Sequence, residues 1–347
     1  MVGVDVDITL RGLAPALRAA LKAAGFRSDS DFLGVQPLEL ASEARISHKD
    51  ALLVLQELAG NSIGVLERED VTSAKEMFDK ERRKKTLVTF CQPLDRILGG
   101  GIRTGQITEF CGAPGVGKTQ IGMQLAINVQ MPAAFNGLAG EAVYLDTEGS
   151  FAAKRCSQMA EAFCRHLEKV AVRRKDDALL AEARKLDPDR ILERIHFFRA
   201  RDVTEQLAVI DILPSFVREH PSVKLVIIDS IAFHFRQDFE DMGVRTRRLM
   251  QMAQSLMELA HKRDLAIVMT NHVTTRVMAE GKSRLVPALG DSWAHAATNR
   301  MLCYWQDGKR HAYVFKSPFL PAAGAEFTVS SDGIRGHAPR NQGVKRK

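Results

Sequence analysis

Residues 112–120 read GAPGVGKTQ, and Gly112 to Thr119 match the pattern G-x-x-x-x-G-K-[ST] in full. The apolar run ITEFC precedes them and the helical run TQIGMQLAINVQ follows, the setting in which this pattern holds phosphate. In such a loop Gly112, Ala113, Pro114, Gly115, Val116 and Gly117 form the cradle, its glycines letting the backbone N–H groups other than that of Pro114, which has none, turn inward, and the following helix adds its partial positive charge. Lys118 is expected to reach the β and γ phosphates of ATP and Thr119 to ligate Mg2+, with Gln120 closing the nucleotide-binding stretch. A phosphate grip can drive a motor, transfer a phosphoryl group or lock an assembled shape, and the loop alone does not choose.

Outward from the loop, short apolar runs alternate with longer helical stretches from Leu87 to about Gly336. QITEFC, AVYLD, IHFFRA, KLVIID and LAIVMT read as strands with helices between them, which calls for a mostly parallel sheet covered on both faces. RMLCYW and HAYVFK, separated only by QDGKR, read as a hairpin at the sheet edge around Asp307-Gly308. Before Leu87, LAPALRAALKAAG, DFLGVQPLELASEA and SHKDALLVLQELAG have helical spacing, with stops at Gly25 and Gly60 and an N-cap at Ser47. The expected fold class is α/β: a P-loop ATPase core with a mostly parallel sheet flanked by helices, preceded by a small all-α N-terminal domain. The expected boundaries are 1–68 for the helical domain, 69–86 for a charged linker, 87–336 for the core and 337–347 for a basic disordered tail.

Composition narrows the partners. Lys and Arg outnumber Asp and Glu by 49 to 42, a net charge of +7 and a pI near 9.2, which leans toward a polyanion. No run approaches the ~18 apolar residues of a membrane span, and the N-terminus lacks a secretory pattern. An intracellular protein with no membrane partner is expected. Cys91, Cys111, Cys156, Cys164 and Cys303 form no C-x-x-C pair, and buried free thiols are expected ahead of zinc or disulfides. The linker cluster Arg82, Arg83, Lys84 and Lys85 fits a nucleic-acid contact or a solvated face equally well.

Three further runs carry chemistry. LVIIDS ends a buried strand at Asp229, where a carboxylate can hold Mg2+ through water. VYLDTEGSF ends a strand with Asp146 and Glu148; Glu148 is expected to activate the attacking water, although acidic residues also favour helix N-caps. TNH, residues 270–272, places a polar group at the same edge, where it could sense the γ-phosphate. Two basic loops leave that edge: one with Arg236, Arg245, Arg247 and Arg248, the other long, irregular and carrying Arg276, Lys282 and Arg284. They suit single-stranded DNA held by its backbone without sequence readout, in a manner responsive to ATP.

Together FCQPLDRILGGGIRTGQITEFCGAPGVGKTQ, AVYLDTEGSF, LVIIDSIAFHFR, TNHVTT, GDSWAHAATNR and FKSP resemble the RecA-like recombinase family, in its eukaryotic and archaeal branch. The resemblance spans roughly Leu10 to Gly336 and is nearest to a paralogue type whose members assist the main recombinase. It implies a RecA-like core, ATP and Mg2+, single-stranded DNA, and hetero-oligomers with other paralogues and the main recombinase. It also implies residence in the nucleus, where VKRK could serve as an import signal or simply as a solvated end. By resemblance Glu148 activates water, Arg155 stacks on adenine, the DNA loops begin near Arg236 and Val273, and FKSP caps a neighbouring subunit's nucleotide.

Departures from the family pattern shape the expected function. His272 stands where the family carries Gln, the link between γ-phosphate and the second DNA loop; imidazole could keep that bond, or the position could have drifted. Lys316 replaces an acidic residue, and its ammonium could stand in for a monovalent cation at a subunit boundary. ARIS replaces a Gly-Ile-Ser hairpin, and since Arg45 adopts positive φ less readily than glycine, docking is expected there rather than a DNA phosphate cradle. The linker lacks Phe-x-x-Ala, and FFRA at 197–200 reads as a core strand unavailable for polymerisation. The expectation is a slowly hydrolysing, DNA-dependent ATPase subunit of a paralogue complex promoting double-strand break repair. The alternative is a strand-exchange recombinase forming its own filaments.

Overall fold

The computed structural model describes residues 13–32, 35, 37–63, 73–236, 239, 241–277 and 283–336. The chain divides into two units, Met1–Arg83 and Lys84–Lys347.

In the first unit, helix α1 (Pro15–Ala23) opens on a proline, whose missing N–H costs nothing in a first turn, and ends before Gly25 at φ +96°. Helices α2 (Pro37–Glu43) and α3 (His48–Ile63) complete a small core of Leu21, Phe26, Phe32, Leu40, Ala51 and Val54. Ser47 caps α3 as expected, its hydroxyl accepting the Asp50 N–H at 3.1 Å. Gly60 does not stop α3, which runs on to Ile63. Arg45 does take the left-handed conformation, at φ +52°, and the Ile46 N–H closes the turn on the Ala41 carbonyl at 3.1 Å. The backbone shape expected of glycine is therefore kept. Helix α4 (Ala74–Arg83) starts with a reciprocal cap between Ser73 and Glu76 and buries no residue. Its basic end, Arg82 and Arg83, complements the helix dipole.

The second unit holds, in order, β1 (Thr86–Leu87), α5 (Gln92–Ile97), β2 (Ile102–Arg103), β3 (Ile107–Gly112), α6 (Lys118–Asn128), β4 (Glu141–Asp146) and α7 (Ala153–Arg174). Then come α8 (Asp177–Arg184), α9 (Pro188–Glu193), β5 (Ile195–Arg199), α10 (Val203–Glu219), β6 (Val223–Asp229), α11 (Met242–Arg263) and β7 (Ala266–Asn271). The last elements are β8 (Val273–Val277), β9 (Ser283–Pro287), α12 (Gly290–Trp293), β10 (Asn299–Gln306), β11 (Lys309–Lys316), β12 (Gly324–Ser330) and β13 (Gly333–Arg335).

Nine strands form one sheet in the order β13-β12-β11-β10-β3-β7-β6-β4-β5, parallel from β10 to β5 and antiparallel beyond β10. Strand periodicity divides the side chains between two cores. Tyr144, Ile227 and Val268 join α6 and α7 on one face, while Leu145, Ile228 and Met269 join α10 and α11 on the other. The expected mostly parallel sheet between helical layers is present.

Three expectations are corrected. The hairpin β10–β11 does not end the sheet, because β12 and β13 add two strands outside it. The segment after His272, expected to be irregular, is the antiparallel hairpin β8–β9. FFRA lies on β5, an edge strand, and Phe197 is 46% exposed rather than part of the core. All five cysteines are free; four are buried and Cys164 is half-buried. Burial pushes the Cys91 and Cys164 thiols up to about 11 and those of Cys156 and Cys303 up to about 12, so they stay unreactive thiols. Among the described residues no helix is long and apolar enough to cross a membrane.

Candidate active site

Strands β3, β4, β6 and β7 are parallel and end at one edge, where β4, β6 and β7 each deliver a polar side chain and β3 delivers the phosphate loop. Gly112 ends β3, and a Cβ there would stand 2.5 Å from the Cys303 carbonyl oxygen and 2.9 Å from Val116 Cγ1, so the loop can leave the sheet only as glycine. Gly117 holds φ +106° as the N-cap of α6, a conformation costly for any side chain. Lys118 folds back into the loop, its Nζ donating to the Gly112 and Ala113 carbonyls at 2.9 and 3.1 Å. Burial lowers the Lys118 pKa, opposed by the carboxylates of Glu148 and Asp229.

Asp229 ends β6 almost fully buried, and burial raises its pKa against hydrogen bonds from Thr270, Tyr144 and Thr119. The Tyr144 hydroxyl donates to Oδ2 at 2.7 Å, and Thr270 donates to Oδ1. The Thr119 Oγ1 lies 3.4 Å from the Ser150 hydroxyl. A buried carboxylate beside a threonine hydroxyl at a helix N-terminus fits Mg2+ carrying phosphate, since the cation supplies the charge that burial withholds. Asp146, beside Glu148 in sequence, plays a different part. Its carboxylate accepts the backbone N–H groups of Glu148, Gly149, Ser150 and Phe151 at 2.8–3.3 Å and so shapes the loop that presents Glu148.

Glu148 meets His272, with its Oε1 2.6 Å from the imidazole Nε2. The other ring nitrogen, Nδ1, lies 3.3 Å from Nη1 of Arg236. A guanidinium only donates, so Nδ1 accepts and the ring proton sits on Nε2, donated to Glu148. Burial alone would raise the Glu148 carboxyl, but the bond from His272 and the charge of Lys118 hold it below its ordinary value. A continuous chain, Arg236 to His272 to Glu148, thus joins the first basic loop to the carboxylate facing the phosphate loop.

The remaining candidates divide. Arg155 donates to Gln120 at 2.8 Å and to the Ser330 and Ser331 carbonyls, which spans α6 and the β12–β13 turn beside the phosphate loop. Arg245 is half-buried and bonds the Phe235 carbonyl at 2.6 Å next to Arg236. Arg247 and Arg248 lie exposed along α11, where Arg247 lines a groove with Met250 and His295. Arg276 and Arg284 are cross-strand partners in the β8–β9 hairpin, and Lys282 lies outside the described residues. Lys316 keeps its ammonium within its own chain, donating to the Ala294 and Ala297 carbonyls at 2.8 Å each. Sequence reasoning missed Tyr144 as a partner of Asp229 and Arg236 as a partner of His272. Each bond joins residues far apart in the chain, and only the parallel register of β4, β6 and β7 brings them together.

A family profile described as Rad51 matches residues 81–177 and 169–337. The chain belongs to the Rad51 family. A relative from Cricetulus griseus, described as DNA repair protein RAD51 homolog 3, is 42% identical over 330 residues, covering 93% of this chain and 90% of its own. A protein of the same description from Dictyostelium discoideum is 38% identical over 250 residues, covering 72% of this chain and 65% of its own. Membership of the Rad51 family accounts for the ATPase-type core, and both relatives are of the paralogue kind that the motifs resemble.

Proposed function

We propose that this Rad51-family chain is an ATP-binding, slowly hydrolysing subunit of a recombinase-paralogue complex. In this reading it binds single-stranded DNA, assists recombinational repair in the nucleus, and assembles chiefly in its ATP form. The observation that carries the reading is the Arg236–His272–Glu148 chain. Bound MgATP would supply the γ-phosphoryl group, and Glu148 would take a proton from the attacking water. A carboxylate held at low pKa is a weak base, which makes the step slow. A DNA phosphate at Arg236 would draw the guanidinium away from Nδ1, loosen His272 and free Glu148. His272 then keeps the coupling between nucleotide and DNA that the usual glutamine provides.

Hydrolysis measured with and without single-stranded DNA tests this reading. DNA should stimulate the wild-type chain, while Arg236→Ala should bind MgATP normally, lose the stimulation and reduce the salt slope of DNA binding by about 0.7. Lys118→Ala should lose nucleotide binding itself. Stimulation that survives Arg236→Ala would exclude the chain as the coupling route. The filament-forming alternative gains one observation, since the Phe197 of FFRA is exposed on an edge strand.

A further inference from the structure

At the opposite end of the sheet, where β4, β5 and β6 begin, stands a second cluster. Glu141 opens β4; His196 lies on β5 across from Val143; His220 follows the last turn of α10. The two imidazoles and the carboxylate each offer one ligand atom, and these atoms all lie within 4.8 Å of one another. His196 Nε2 is 2.8 Å from Glu141 Oε2, whereas the other carboxylate oxygen, Oε1, lies 3.5 Å from Arg194 Nε.

The rings are fixed from behind. Phe216 of α10 stacks on His220 with ring centres 4.3 Å apart and meets His196 edge-on at 5.1 Å. Phe198 in turn meets Phe216 edge-on at 5.4 Å, and both phenylalanines pack against the core on that face of the sheet. All three candidate ligands are half-buried, so an ion can enter and the carboxylate is not surrounded by bulk water.

We propose that Glu141, His196 and His220 form a binding site for a divalent transition metal of the zinc class, separate from the nucleotide site. Two imidazoles and one carboxylate are a borderline donor set suited to Zn2+ and its neighbours, not to Mg2+. The roles within the set follow from the distances. Oε2 faces His196 and would serve as a single-oxygen ligand, while Arg194 on Oε1 orients the carboxylate as an outer partner. Three protein ligands leave a coordination position for water. Bound metal would tie the start of β4, the edge strand β5 and the end of α10 together, closing chain loops that run from residue 141 to 196 and on to 220. The site does not depend on the proposed DNA or ATPase role.

Cobalt is the probe, because its visible bands report the ligands. The full chain, freed of metal by chelation and held in excess Mg2+ to occupy the nucleotide site, is titrated with Co2+. One equivalent should bind with d–d bands of nitrogen and oxygen ligands and without a thiolate charge-transfer band, and Zn2+ should displace it. Glu141→Gln should weaken Co2+ binding at least about tenfold, and His196→Gln with His220→Gln should abolish it. Circular dichroism and retained MgATP binding establish that each variant is folded. If the double variant fails to fold, Glu141→Gln decides alone. Absence of saturable Co2+ binding, a thiolate band, or binding unchanged in the folded variants would overturn the site.

Discussion

At Asp229 burial and charge oppose each other. The carboxyl pKa is raised by burial, so the folded chain binds this proton more tightly than the unfolded one, and the ionised form weakens the fold above that pKa. Asp229→Asn should therefore raise the melting temperature of the nucleotide-free chain, by roughly 2–4 °C for about 1 kcal/mol. The same variant should lose the stabilisation that MgATP gives the wild type. A lower melting temperature would mean that the bonds from Tyr144 and Thr270 outweigh the buried charge. Glu148 carries the opposite sign. Its pKa lies below 4.5, so its stabilising contribution is present above 4.5 and is lost as pH falls through the lower folded value. Hydrolysis should accordingly show no acid limb from this group above 4.5. In His272→Ala the burial remains while the donor is gone, so the acid limb of the pH–rate profile should move upward; an unmoved limb would show that His272 does not tune Glu148.

Among the elements, β8–β9 is anchored by a buried polar cluster at its root. Glu109 of β3 accepts from Asn271 at the end of β7 at 2.7 Å, from Trp293 of α12 at 2.8 Å, and from Arg300 of β10. Asn271 also donates to the Ala288 carbonyl at 3.2 Å, just beyond β9. Removing one partner of such a buried pair strands the other charge, so Glu109→Leu should cost about 3–5 kcal/mol in denaturant unfolding. Glu109→Leu with Arg300→Met should recover much of that loss, and a double variant as unstable as the single would show that the bonds themselves, not the stranded charge, carry the stability. The bonds of this cluster were not legible in the sequence, because ITEFC and RMLCYW read as apolar strands around one charge each. The five parallel strands after the linker were legible, since each is a short, mostly apolar or aromatic run separated from the next by a helical stretch. Six strands were not, and β1 and β2, two residues each, are too short to leave a pattern. β8 and β9 hide in a polar, arginine-bearing stretch, and β12 and β13 follow a proline-rich segment, their only signal being the alternation of Ala325 and Phe327. The phosphate loop, Asp229 and Glu148 were legible because local spacing specifies them. The partners of Tyr144, Thr270 and Arg236 were not, because only the fold brings together residues so far apart in the chain.

For the whole molecule the open question is whether one chain suffices to build an assembly. The sheet is closed at its antiparallel side by β13, whose Ile334 is buried and whose N–H bonds Gln124 of α6 at 3.1 Å. At the other side β5 is an edge strand, and its Phe197 is 46% exposed in the chain. An edge strand with an exposed aromatic residue invites pairing with another chain. Lys316, expected to act across a subunit boundary, is instead engaged by two carbonyls of its own chain, leaving β5 as the better-placed contact. Light scattering with a slowly hydrolysed ATP analogue and single-stranded DNA of several lengths decides the matter. Small particles whose size does not follow DNA length are expected, since a subunit that needs a different partner stops growing at its unmatched face. Particles that lengthen with the DNA would establish the self-assembling recombinase instead. In that case Phe197→Glu should return them to small size if β5 is the contact, and continued growth in the variant would place the interface elsewhere.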